Sequence, residues 1–357
     1  MKMKRKILSL ALLAMMAPAF ANHCIDTIAE RVHERFLFLE KCNLKDDDMT
    51  ALQAFLKDHI NITDLGLSEN QIGDAGALVL AQNKRLDVID LEKNDISDTG
   101  AIALSKNENI TYLNLNSNSR VSDVAALEFA KAKIEGLHLN HTKITNVGVI
   151  ALAKNAAIKY LGVGGNLTSP AYEALGASKI LVGLTIEEGK LTHKDVSALA
   201  QIDTMTYLTI RNSNLTDEDA AALTKAKKLW SLRLPSNQIG VAGVQALANS
   251  NTIEYLVLSD NNLTDEDIKP LAKNPNIFGM RLDHNQIHDA GMASLASMPA
   301  LEYLVVDHNF ATNEGAYALV KSSKLKHLDI SFNKIGKAGI KALKNRNFVY
   351  LNTEGNA

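Results

Sequence analysis

Leu229 to Thr252, LWSLRLPSNQIGVAGVQALANSNT, is the stretch that organises this chain. It runs apolar residue, two free positions, Leu, one free, Leu, two free, Asn, one free, Ile, and is completed by Gly243 and Leu247. The pattern returns thirteen times in 357 residues. Its Asn position is filled in turn by Asn70, Asn94, Asn118, Thr142, Asn166, Gly189, Ser213, Asn237, Asn261, Asn285, Asn309, Asn333 and Asn356. Successive steps are 24 residues, except for 23 at Asn166 to Gly189 and at the last step. So regular a period defines a solenoid of stacked units.

Inside one unit, Leu232 and Leu234 alternate with Ser231, Arg233 and Pro235, the period of a strand with one buried face. The Asn side chain is expected to bond backbone groups in the turn that follows, where no strand ladder satisfies them. Gly243 is expected to let a short helix, near Val241 to Ala248, come close to the strand, with Leu247 filling the space between. This is the layout of a leucine-rich repeat. One unit buries its Leu row only against its neighbours, so stability accumulates along the stack. The predicted fold is an α/β leucine-rich-repeat solenoid, a horseshoe with a parallel concave sheet and short convex helices.

The segments GDAGALVLAQN, SDTGAIALSKN, TNVGVIALAKN and GVAGVQALANS resemble the 24-residue GALA-type leucine-rich repeats of secreted bacterial effectors. The resemblance covers residues 61–357. It implies a horseshoe and protein binding. Plant-pathogen members of that family also carry an F-box before the repeats; that segment is not found here, and no ubiquitin role is carried over.

Composition fits this reading. With 46% hydrophobic and 22% charged residues the chain has apolar mass for a large core. Residues 1–21, MKMKRKILSLALLAMMAPAFA, read as a secretory signal peptide: a basic start, an apolar run too short to span a bilayer comfortably, and an Ala-Phe-Ala cleavage site. Removing its four basic residues takes the net charge from −2 to −6, which argues against nucleic acid and anionic membrane as partners. Residues 22–60 form an N-terminal cap. Ile25, Ile28, Ala29 and Val32 share a helical face, and a degenerate first repeat from Leu37 has Cys42 in the Asn position and a longer helix, near Asp47 to His59. The two cysteines, Cys24 and Cys42, both fall in this cap of an exported chain, so a disulfide is expected. Residues 61–357 are the thirteen repeats, the last one truncated after the strand at Phe348 to Leu351, whose edge is expected to allow weak self-association.

The middle of the array is less regular. Gly162, Gly164 and Gly165 are read as a gap in the inner surface, because GVGGN lacks the Lys-Ser/Thr of a phosphate loop. Thr216-Asp217-Glu218-Asp219 and Thr264-Asp265-Glu266-Asp267 read as helix starts with Thr as N-cap.

On the inner face, the position before the second Leu carries Tyr in alternate repeats: Tyr112, Tyr160, Tyr207, Tyr255, Tyr303 and Tyr350, each beside a smaller residue or His. This row is a scaffold trait first. Repeats eight to eleven add Arg233 and Arg281 beside Tyr255 and Tyr303, Trp230 and Phe278 at the strand entrance, and Asp283, His284, Asp307 and His308 at the exit. Aromatics and Arg on an exposed sheet with acids at its rim have the composition of a protein-binding hot spot. The competing reading is Arg–Asp pairing across strands with no ligand. Two sharper readings rank lower: Asp260, His284 and His308 converging on a metal with Asp283 or Asp307, and Ser259, His284 and Asp283 as a triad, for which no oxyanion hole is evident.

The expected function is that of an exported protein-binding module, a bacterial effector contacting host proteins, with neither enzymatic activity nor cofactor nor metal. The alternatives are a horseshoe-type enzyme inhibitor, a metal-dependent or enzymatic site on the Asp/His rim, and a cell-envelope structural protein.

Overall fold

The computed structural model describes Cys24 and residues 31–356. The signal peptide and the helical face at Ile25, Ile28 and Ala29 lie outside the described residues. The chain divides into two compact units, residues 1–165 and 166–357.

The first unit carries seven strands in chain order: β1 Val32–His33, β2 Phe36–Phe38, β3 Asp64–Gly66, β4 Val88–Asp90, β5 Tyr112–Asn114, β6 Gly136–His138 and β7 Tyr160–Gly164. From β2 onward neighbours pair in parallel at matching repeat positions, as in Leu37 beside Leu65. The second unit carries β8 Gly183–Glu187, β9 Tyr207–Arg211, β10 Ser231–Arg233, β11 Tyr255–Val257, β12 Gly279–Arg281, β13 Tyr303–Val305, β14 His327–Asp329 and β15 Tyr350–Asn352, again parallel and in repeat register. From β2 onward short helices alternate with the strands. The architecture is the leucine-rich-repeat solenoid: an open, mostly parallel sheet with helices in the crossovers. Among the described residues no helix is long and apolar enough to cross a membrane.

The quoted repeat shows why it folds this way. Leu232, Leu234 and Leu247 are fully buried and Ile239 nearly so. The helix spans Val241–Ala248. Asn237 accepts from the amides of Ser213 (3.1 Å) and Leu215 (3.0 Å) and donates to the carbonyls of Ile210 (2.8 Å) and Pro235 (3.0 Å), so one side chain closes backbone groups of two repeats. Where Asn is absent, something else fills the position. Ser213 Oγ accepts from the Gly189 amide at 3.0 Å and donates to the Arg211 carbonyl at 2.8 Å. Gly189 leaves space for Leu191, Ile186 and the Tyr172 hydroxyl, since a Cβ there would lie 2.5 Å, 2.7 Å and 2.9 Å from them.

A second ladder was not anticipated. Asp74, at the first position of its helix, accepts from the amides of Ser97 (2.8 Å) and Gly100 (3.0 Å) in the next repeat. Asp217 likewise accepts from the Gly240 amide at 2.6 Å. This corrects the reading of Gly243. A Cβ there would meet Asp217 Oδ1 at 2.6 Å and Asp217 Cα at 3.0 Å, so the glycine makes room for the preceding repeat's helix start rather than for its own strand. The helix starts themselves are as expected: Thr216 with Asp219 and Thr264 with Asp267 form capping boxes. The Asp265–Ile268 helix passes into a 3₁₀ turn at Lys269–Lys273, where Pro270 has no amide to continue it.

The cap differs in one respect. Val32 lies on β1, antiparallel to β2, not on a helix. Glu34, at φ 58°, turns the chain there, and the resulting hairpin covers the edge of β2. The first repeat's helix spans Asp48–Asp58. Cys24 and Cys42 form a disulfide with Cα atoms 5.6 Å apart.

Candidate functional site

In residues 166–357 the strand side chains that point away from the Leu core fall into columns fixed by repeat register. One column holds Tyr207, Ser231, Tyr255, Gly279, Tyr303 and His327; the next holds Arg233, Val257, Arg281 and Val305. Gly279 leaves room for an aromatic neighbour, because a Cβ there would lie 2.5 Å from Tyr255 Cδ2. The rings of Tyr255 and Tyr303 are 6.2 Å apart, those of Tyr303 and His327 6.1 Å, and Phe278, exposed at the strand start, stands 6.3 Å from Tyr255. Trp230 is half-buried beside the same strands.

Arg233 is held between two rings. Its Cζ lies 5.1 Å from the centroid of Tyr207 and 5.1 Å from that of Tyr255. Both contacts are cation–π in character. Its Nε is buried without a hydrogen-bond acceptor, and no carboxylate among the described residues pairs with the guanidinium. Arg281 is different: its Nε donates to Asp283 Oδ1 at 3.3 Å within the same repeat, just past the strand end, not across strands. Asp283 also accepts from Ser259 Oγ at 2.6 Å. Burial pushes the Asp283 carboxyl up, but the Ser259 hydrogen bond and the Arg281 charge outweigh it and hold the group below the usual range.

The rim brings together part of what the sequence suggested. His284 and His308 stack with centroids 4.2 Å apart, and donor atoms of His284, Asp307 and His308 lie within 4.8 Å of one another, a group that does not include Asp260. Ser259 bonds Asp283 directly, and His284 contacts only the far oxygen of that carboxylate, at 3.4 Å. The relay from nucleophile to base that a triad requires is therefore not formed. Sequence reading missed that Tyr207 completes the Arg233 sandwich, and that Phe332 extends the His stack at 4.5 Å. Both stand at the 24-residue spacing and were reachable by following each column one repeat further.

In the first unit the same Tyr column is buried. Tyr112 is 2% and Tyr160 7% exposed, with rings 5.7 Å apart, so Tyr160 belongs to the packed interior and not to an open surface. Gly162 is no gap either: a Cβ there would lie 2.7 Å from His138 Nδ1 and 2.9 Å from Asn140 Nδ2, which fill the space. A Cβ at Gly136 would meet the Tyr112 ring, which is buried and so has little room to move. Gly136→Ala is therefore expected to cost about 2 kcal/mol. Gly279→Ala, against the half-exposed Tyr255, should cost under about 1 kcal/mol. Urea unfolding of both variants checks this, and equal costs would contradict it.

On the same face Asp90 is buried, and its carboxyl is pushed up to about 7 by that burial, with the charges of Glu92 and Glu40 adding to it. The unfolded chain ionises this group from about pH 4 while the fold keeps it protonated, so its contribution to stability falls as pH rises from about 4 to about 7. Asp90→Asn keeps an acceptor for the Glu92 amide, now at 2.9 Å, and removes the titration. The variant is expected to be more stable than the parent at pH 8, by as much as about 4 kcal/mol, and equal to it at pH 4. Urea melts at both pH values test this.

Six segments, residues 59–81, 82–105, 132–153, 226–248, 249–272 and 321–344, match the family model described as Leucine Rich repeat. In these six segments the chain is similar to leucine-rich repeats. Similar leucine-rich-repeat folds include an internalin, InlF, from Listeria monocytogenes, at 21% identity over 87% of this chain and 88% of that one, TM-score 0.50. A structure of the yeast Rad7 and Elc1 complex aligns at 13% identity over 83% and 86%, TM-score 0.50. A complex of TLR13 with ssRNA13 aligns at 18% identity over 83% of this chain, TM-score 0.52, and there the chain spans 50% of its counterpart. At identities this low the likeness is one of fold alone. No curated relative matches the sequence.

Proposed function

We propose that this leucine-rich-repeat chain is an exported binding module whose partner is a protein, and that the partner docks on the sheet face between β9 and β13. One observation carries the reading: Arg233 lies between Tyr207 and Tyr255 on a half-exposed face, with no carboxylate of its own among the described residues. A guanidinium pre-set by two rings loses little freedom on binding and presents its remaining N–H donors to an incoming acceptor. Tyr303, Arg281, Phe278 and Trp230 surround it, and Asp283, His284, Asp307 and His308 make the rim. The same columns serve a host-directed effector, as the GALA-like spacing suggests, and the Cys24–Cys42 disulfide and the signal-like leader support export. The structural neighbours known as complexes, Rad7 with Elc1 among them, are consistent with a binding role.

The test is capture of partners from host lysate and from the producing cell's envelope with the mature chain, followed by affinity measurements. Arg233→Ala and Tyr255→Ala are each expected to weaken binding by about 1–3 kcal/mol while leaving circular dichroism unchanged. An exposed distant substitution, Lys133→Ala, should have no effect. Wild-type affinity in both Arg233→Ala and Tyr255→Ala would place the interface elsewhere.

A further inference from the structure

At the ends of β12 and β13 the chain turns through His284 and His308, one residue before the ladder asparagines Asn285 and Asn309. Both have positive φ, 55° and 51°, and occupy the same repeat position. Their rings therefore stack in register, 4.2 Å apart and 11° from parallel. Each Nδ1 faces the carboxylate of the residue before it: Asp307 Oδ2 at 2.7 Å for His308 and Asp283 Oδ2 at 3.4 Å for His284. Asp283 is already engaged by Ser259 and Arg281, whereas Asp307 pairs with His308.

We propose that His284, Asp307 and His308 form a divalent transition-metal site, with zinc the ion whose chemistry fits best. Two imidazoles and one carboxylate, with water completing the shell, are a zinc-type donor set, whereas calcium and magnesium call for oxygen donors throughout. Asp283 stands behind His284 at Nδ1 and fixes that ring, whereas Asp307 joins the ion itself and gives up its hydrogen bond with His308. The three donor atoms start within 4.8 Å of one another. Bonds of about 2.0–2.2 Å require them to draw closer, and the side chains, 54% and 42% exposed for His284 and His308, are free to rotate by that amount.

Stacking alone does not explain these residues. Phe332 takes the same position in the following repeat and stacks on His308 at 4.5 Å, so an aromatic ring suffices for the stack. In this part of the array histidine follows Asp, at Asp283-His284 and Asp307-His308, and phenylalanine follows Ser331; His141, at the same repeat position in the first unit, follows Asn140. The pairing of base and acid, repeated on adjacent strands, is what a metal needs and a stack does not.

The proposal stands apart from partner binding, because its test uses the protein alone. Untagged mature chain, stripped with chelator and dialysed, is titrated with zinc chloride near neutral pH in a calorimeter. One ion per chain is expected. His284→Ala, His308→Ala and Asp307→Asn should each weaken binding at least about 10-fold. His308→Phe is the deciding variant: it keeps the stack, so the melting temperature should hold, while zinc affinity should fall by the same factor. His288→Ala, outside the trio on Phe310, should bind as the parent does. Calcium chloride should give no competing binding. Absence of binding up to about 1 mM zinc, or parental affinity in His308→Phe, would overturn the site.

Discussion

Asn285→Ala is expected to lower the unfolding free energy by about 4 kcal/mol, the largest loss from any single side chain considered. The Asn285 carbonyl oxygen accepts from the amides of Asn261 at 3.1 Å and Leu263 at 2.9 Å; its amide donates to the carbonyls of Leu258 and Leu282, each at 3.0 Å. All of these groups are buried, and strand pairing does not reach them. Alanine would leave two amides and the Leu258 carbonyl without partners, while the Leu282 carbonyl keeps Asn309 Nδ2 at 2.9 Å; each loss is roughly 1–3 kcal/mol before relaxation and water entry reduce the sum. Because repeats are coupled to their neighbours, the loss should also split the urea transition, with residues flanking the site opening first. Hydrogen exchange at Asn261 and Leu263 is the direct readout. A loss under about 1 kcal/mol would mean that water replaces the side chain at little cost. Asn285→Ser should fall between, since Ser213 shows that a hydroxyl can do half of this work.

Cys24→Ala is expected to cost about 3 kcal/mol, the chain-entropy value for closing a loop of this size. The bridge joins residues 18 apart in sequence and ties buried Cys24 to the first repeat. Cys42 occupies the ladder position there, and its amide donates to Asn70 Oδ1 at 3.0 Å, so the disulfide and the asparagine ladder meet at one residue. Reduction of the parent protein should reproduce the Cys24→Ala loss, and thiol labelling of denatured, unreduced protein should find none. Labelled thiols, or a melting temperature that ignores reductant, would remove the bridge from the account.

The architecture was readable because one rule, 24 residues from Asn to Asn, fixes strand, turn and helix together. Leu232, Leu234, Leu247 and the 241–248 helix all stand where the period puts them. What the period hides is which neighbour a residue meets. Gly243 looked like a helix–strand contact, yet it faces Asp217 of the preceding repeat. Tyr160 and Tyr255 share a column and read alike, but one is buried beside Tyr112 and the other stacks half-exposed on Arg233. The same limit held at the rim, where Asp260 shares the histidines' repeat position and yet lies outside the group formed with Asp307.

One feature of the turns restricts what can be written into this chain. The residue just before each ladder position has positive φ in every described repeat, from Lys41 and Glu69 through His284, His308 and Phe332 to Gly355. Valine, isoleucine and threonine, which resist that conformation most, occur at none of these positions, although all three abound in the strands beside them. The row therefore behaves as a typeface with three letters missing. Lys41, Glu69 and Lys93 already spell an ion-pair run across three repeats, and the histidines and Phe332 an aromatic one. Surface character can be rewritten along this row, one strand spacing at a time, without touching the leucines that hold the stack together.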